Sequence, residues 1–139
     1  MPRKVWVYDP HRGGVEIPAA VRERTERRIL AYAEAHHAGK FTQLGIRFRG
    51  ALCYIDAYRE PDKPSAALLR ALKETREEYC ERLRSAPMHL CRLRYFGRDD
   101  AWSMAFYAYS HERYEPCSFG NSSSIGTPEQ AFAIGSVYL

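Results

Sequence analysis

Apolar and polar positions change period several times along the 139 residues, and each change marks an element. The runs "FTQLGIRFRG" and "ALCYIDAYRE", residues 41–60, alternate strictly. Leu44, Ile46 and Phe48 share one face of the first run, and Cys53, Ile55 and Ala57 share one face of the second. A period of two is the signature of strands, and the two runs meet at Gly50-Ala51, which predicts a β-hairpin. Alternation returns in "HLCRLRYFG" and "AWSMAFYAYS", so further strands are expected at residues 88–96, 102–109 and 113–119, with "GRDD" and "SHER" as turns. Near the start, "KVWVYDP" reads as a short strand and "HRGGVE" as a loop.

Between these runs the period lengthens to that of a helix. In residues 19–40, Val21, Thr25, Ile29, Tyr32 and His36 fall on one stripe; Pro18 suits the first turn and Gly39 the left-handed position past the last. From Ser65 to about Ala86, Leu68, Leu72, Tyr79 and Leu83 align, and Pro87 ends the segment. Thr75 followed by Glu78 is a capping-box pattern, which predicts that this region divides into two shorter helices or runs as one. After the polar loop "GNSSSIG", Thr127-Pro128-Glu129-Gln130 supplies an N-cap, a proline at the first helical position and a glutamine to close the box, so a short last helix is expected.

The order β-α-β-β-α-β-β-β-α predicts one α+β domain spanning residues 1–139: a mainly antiparallel sheet of about five to six strands with two to three helices on one face. Its first elements follow the order of a ferredoxin-like split βαβ, although order alone does not fix strand pairing. Apolar residues at 45% and charged residues at 27% suit such a domain. The start lacks an apolar leader-like stretch and no run is long enough to span a bilayer, so the expectation is a cytoplasmic protein with no membrane partner. Cys53, Cys80, Cys91 and Cys117 are then expected as reduced thiols.

The net charge of +4 is uneven: residues 1–50 carry ten basic and five acidic side chains, and much of that excess lies in the first helix and the strand after it. This favours anionic partners. If helices cover the Ile46, Cys53, Leu93 and Phe106 side of the sheet, the other face collects Arg47, Arg49, Tyr54, Asp56, Tyr58, Arg92, Arg94, Tyr107 and Tyr109. Guanidinium groups among phenols can grip phosphate or carboxylate, or stack on the bases of a single strand. They also suit a homodimer interface, and the same residues can do no more than pair with one another on a solvated sheet. Without a glycine-aromatic RNP-type motif, nucleic acid ranks below the other partners.

Candidate chemistry is thinner. Cys53, His89, Cys91 and Cys117 have ligand types suited to zinc but no knuckle spacing, so no metal and no cofactor are expected. His89, Cys91 and Asp56 are the residues an enzyme would use, yet no motif of nucleophilic or metal-dependent catalysis surrounds them. The blocks "FRGALCYIDAY", "HLCRLRYFG", "AWSMAFYAYS" and "GTPEQAF" resemble a family of small uncharacterised bacterial proteins, over most of the chain from Ile17 onward. That resemblance implies a stand-alone domain and carries no activity or binding residues. The resulting expectation is a binding or self-association domain using its Arg/Tyr face, with a small enzyme and a single-stranded nucleic-acid or anion binder as alternatives.

Overall fold

Gly50, with φ of +59°, turns the chain so that Arg49 faces Leu52, and the expected hairpin forms as β1 (Gln43–Arg49) and β2 (Leu52–Tyr58). The computed structural model describes residues 12–120 and 123–139, so the strand expected at residues 4–10 lies outside the described residues. Three more strands, β3 (Met88–Tyr95), β4 (Trp102–Ala108) and β5 (Arg113–Cys117), extend the sheet. All five are antiparallel and lie side by side in chain order. The protein is therefore an α+β domain built on a meander. Because β2 pairs directly with β3, the described strands do not form a split βαβ, which needs an earlier strand in that position.

Helix α1 (Ala19–His37) and helix α4 (Pro128–Gly135) pack on the face that carries Cys53, Ile55, Cys91, Leu93 and Met104. Ile29, Ala33, Ala131 and Phe132 meet those side chains and are fully buried. In α1 the buried positions are Val21, Thr25, Ile29 and Ala33, four residues apart, so the stripe passes through Ala33 while His36 stays exposed. Pro18 occupies the extended N-cap rather than the first turn, and Gly39 has the expected positive φ. At the crossing of α4 over β3, a Cβ on Gly135 would lie 2.8 Å from the Leu90 carbonyl oxygen, a contact that excludes any larger residue.

Both predicted capping boxes form. Thr75 opens α3 (Arg76–Ser85) and Thr127 opens α4, each with its reciprocal Glu78 or Gln130 bond. Residues 65–86 thus hold two helices, α2 (Ala66–Leu72) and α3, separated by Lys73 in a left-handed conformation. Neither buries a residue: Leu68 and Leu72 are exposed, and Tyr79 and Leu83 are only half-buried. Their apolar stripe does not join the core, since β2 and β3 pair with each other and leave the intervening chain as an arm. A 3-10 turn, Ser136–Tyr138, ends the fold. No helix of the described residues is long and apolar enough to cross a membrane.

Candidate functional site

The side of the sheet turned away from α1 and α4 is built by the alternate residues of the same strands. In the register, Arg47 faces Tyr54 and Tyr54 faces Arg92, giving one row of cation, ring, cation across three strands. The guanidinium of Arg47 lies 4.9 Å from the centre of the Tyr54 ring, and that of Arg92 lies 5.3 Å from the Tyr114 ring. Toward one end, Arg49, Leu52, Arg94 and Ser103 form a second row. Toward the other, Asp56 faces His89, and Tyr107 faces Tyr114. Among the described residues no helix covers this face, yet Asp56, Ser103 and Ala105 are at most 4% exposed.

At the centre of the aromatic end, Asp56 Oδ1 and His89 Nδ1 are 2.8 Å apart, and the Arg47 guanidinium reaches Asp56 Oδ2 at 3.4 Å. A β-bulge creates this pair. Ile55 is opposite Cys91 and Asp56 is opposite His89, which leaves Leu90 as the extra residue. Leu90 and Cys91 are consequently both buried toward the helices, and His89 is turned to the open face; re-aiming a side chain is the usual consequence of a bulge. The His89 ring packs 4.6 Å from Tyr107, and Tyr109 stacks nearby at 6.4 Å while its hydroxyl accepts from the His89 backbone N–H. Tyr114 stands edge-on to Tyr54 and Tyr107, with its hydroxyl buried and without a hydrogen-bond partner among the described residues. Burial, with the Asp56 charge second, holds that phenol well above its ordinary pKa.

All nine predicted face residues lie on or beside this surface. Arg47 and Arg49 are exposed; Tyr54, Tyr58, Arg92, Arg94 and Tyr107 are half-buried; Asp56 forms the floor. Tyr109 sits just past β4 and remains 46% exposed. Arg94 is tied to the chain before α1 by a bond from Nη1 to the Gly13 carbonyl. Two residues of the surface escape the sequence pattern. His89 reaches it through a bulge that leaves no mark in "HLCRLRY", and Tyr138 arrives from the C-terminal turn, packing on Tyr109 and donating to the Tyr107 carbonyl. Tyr114 was detectable, since it alternates with Arg113 and Glu115 in an expected strand.

Charge is distributed differently from the sequence expectation. Two of the four arginines of α1, Arg24 and Arg28, are neutralised by chain segments far away in sequence. Arg24 donates to Asp99 at 2.7 and 3.2 Å, and Arg28 grips Glu129 at 2.9 and 2.7 Å while lying 2.9 Å from Asp100. Arg27 pairs with Glu23 one turn away. On the sheet face, by contrast, Arg49 and Arg92 have no carboxylate partner among the described residues. Arg49 and Arg92 therefore keep unneutralised charge on the sheet face.

The alternative chemistries separate in space. Cys53 and Cys91 are fully buried on the helix side, where burial raises both thiol pKa values well above their ordinary value and disfavours thiolate. Cys117, half-buried on that side, is raised by burial too. Because the bulge sends His89 to the opposite face, it does not join Cys53, Cys91 and Cys117, and no group of three His, Cys, Asp or Glu side chains among the described residues can hold a metal ion. The same bulge removes Cys91 from reach of the Asp56–His89 pair. No protein-family model, curated protein sequence or solved structure matches the chain, so the roles of these residues rest on their chemistry and their placement.

Proposed function

We propose that the chain is a non-catalytic binding domain whose open sheet face takes an anionic partner. One observation carries the reading: among the described residues, Arg47, Arg49 and Arg92 share this face with a single carboxylate, Asp56, which is buried and already engaged by His89. Self-association through this face would bring two such sets of arginines together, and like charges across an interface oppose binding. An anionic partner meets the opposite sign and gains bidentate guanidinium contacts. An enzyme built on His89, Cys91 and Asp56 is the weaker alternative, because its only thiol lies behind the sheet.

Retention on immobilised heparin, a polyanion without planar groups, tests the proposal. The protein should bind at low salt and elute as salt screens the contact. The triple variant Arg47→Ser, Arg49→Ser, Arg92→Ser should pass through unretained while keeping its circular dichroism spectrum. A folded triple variant retained as strongly as the parent contradicts the proposal, as does a parent protein that never binds.

A further inference from the structure

The arrangement of rings beside the arginines narrows the anion. Arg47, Tyr54 and Arg92 form one cross-strand row, and the adjacent row holds Asp56, His89 and the facing pair Tyr107 and Tyr114, with Tyr109 at its end. Neighbouring strands lie about 4.8 Å apart and alternate residues about 7 Å apart along a strand. A track of guanidinium groups therefore runs alongside a track of rings, across several strands and within one side-chain length of it. A polymer that matches both tracks has negative charge along one edge and flat apolar units along the other. Polyphosphate and sulfated sugars offer only the charge. A nucleic-acid duplex buries its flat units in its own stack, whereas a single strand leaves them free to lie on aromatic rings and guanidinium planes.

Two further features suit this polymer. The face is an antiparallel sheet that no helix of the described residues covers, so an extended strand can be laid across it without entering a closed site. In addition, the Arg47 side chain is 61% exposed although it is stacked on Tyr54, which presents a guanidinium plane outward. The geometry points to single-stranded nucleic acid as the partner of this face: phosphates contact Arg47, Arg49 and Arg92, and bases stack beside them on the ring track at Tyr107 and Tyr109. No sequence preference follows, because every base has a flat face and the tracks carry no base-edge code. The inference rests on the anion-binding reading above and adds the ring contacts to it.

Fluorescence anisotropy with a fluorescein-labelled 15-nucleotide thymidine oligomer and its uridine counterpart separates the two claims. The full chain should bind either oligomer, with affinity falling steeply as salt rises, and a duplex of equal length should compete poorly. Tyr109→Leu, with Tyr109→Phe as a control, should weaken oligomer binding about tenfold and leave heparin retention unchanged. The Phe variant keeps the ring and should bind like the parent. Heparin binding without oligomer binding, duplex competing as well as single strand, or Tyr109→Leu binding the oligomer like the parent would overturn this inference and leave the anion-binding reading standing. Failure to bind heparin, oligomer or duplex would overturn both.

Discussion

Leu93 and Arg92 are neighbours in the chain and belong to two different kinds of surface. Toward α1 and α4 the sheet is covered by a second layer, and Cys53, Ile55, Leu93 and Met104 are buried by apolar side chains from Ile29, Ala33 and Phe132. Toward the other side the described residues supply no second layer of helices, yet Asp56, Ser103 and Ala105 are equally inaccessible. Asp56 is held there by His89 and Arg47. A covered face derives its stability from area removed from water. The other face keeps long polar groups at its surface, with Arg47 and Arg92 each set over a tyrosine ring.

The first prediction measures the difference directly. Leu93→Ala should cost about 2 to 5 kcal/mol, the range for emptying a packed core site, and should lower the melting temperature sharply. Arg92→Ser, one residue away, should shift stability by less than about 1 kcal/mol, since it removes one cation–π contact, while weakening heparin retention. Equal losses of stability in the two variants, by urea titration, would erase the distinction between the faces.

The next effect tests the polar floor. His89→Ala removes the closest partner of a buried carboxylate and should cost about 1.5 to 3 kcal/mol, the range for a hydrogen bond to a charged group. Adding Asp56→Asn should recover much of that loss, because the charge that lacks a partner is then absent. A double variant less stable than His89→Ala alone would place the main stabilising role of Asp56 elsewhere.

A smaller change of opposite sign is expected above that floor. Tyr114 keeps a buried hydroxyl without a partner among the described residues, so Tyr114→Phe should be neutral or stabilising by up to about 1 kcal/mol. A clear loss on chemical denaturation would reveal a hydrogen bond that this geometry lacks.

The weakest effect belongs to the helix-covered side. His37 ends α1 against Tyr32 and Phe132, and burial, with Lys40 and His36 adding to it, holds its pKa below the ordinary 6.5. A depressed histidine favours the fold while neutral. Its contribution is complete above pH 6.5 and is lost as pH falls below that value toward the folded-state pKa, where the unfolded chain binds the proton first. The melting temperature should therefore drop more between pH 7 and pH 5 in the parent than in His37→Phe. Parallel profiles would exclude His37 as the source.

Local signals in the sequence accounted for much of this architecture. The Gly50 hairpin, the caps at Thr75 and Thr127 and the parity of Arg47, Arg49, Arg92 and Arg94 each depend on residues a few positions apart. The features that were not legible depend on distance or on a single extra residue. The bulge at Leu90 turns His89 to the open face without disturbing the apolar pattern, because Leu90 and Cys91 both suit a buried site. The neutralisation of α1 spans 75 positions from Arg24 to Asp99 and 101 from Arg28 to Glu129, and no local pattern encodes it. The stripe of Leu68, Leu72, Tyr79 and Leu83 has helical spacing but meets no core, since spacing predicts a helix and says nothing of what it packs against.

The proposed working surface is the sheet face that carries Arg47 and Arg92, not the basic first helix. An amide chemical-shift titration of the isotopically labelled protein with the 15-nucleotide thymidine oligomer tests it most directly. Perturbations should cluster on β1 to β4 around Arg47, Tyr54, Arg92 and Tyr107, with α1 unmoved. Perturbations centred on Arg22, Arg24, Arg27 and Arg28, with the sheet face silent, would contradict it.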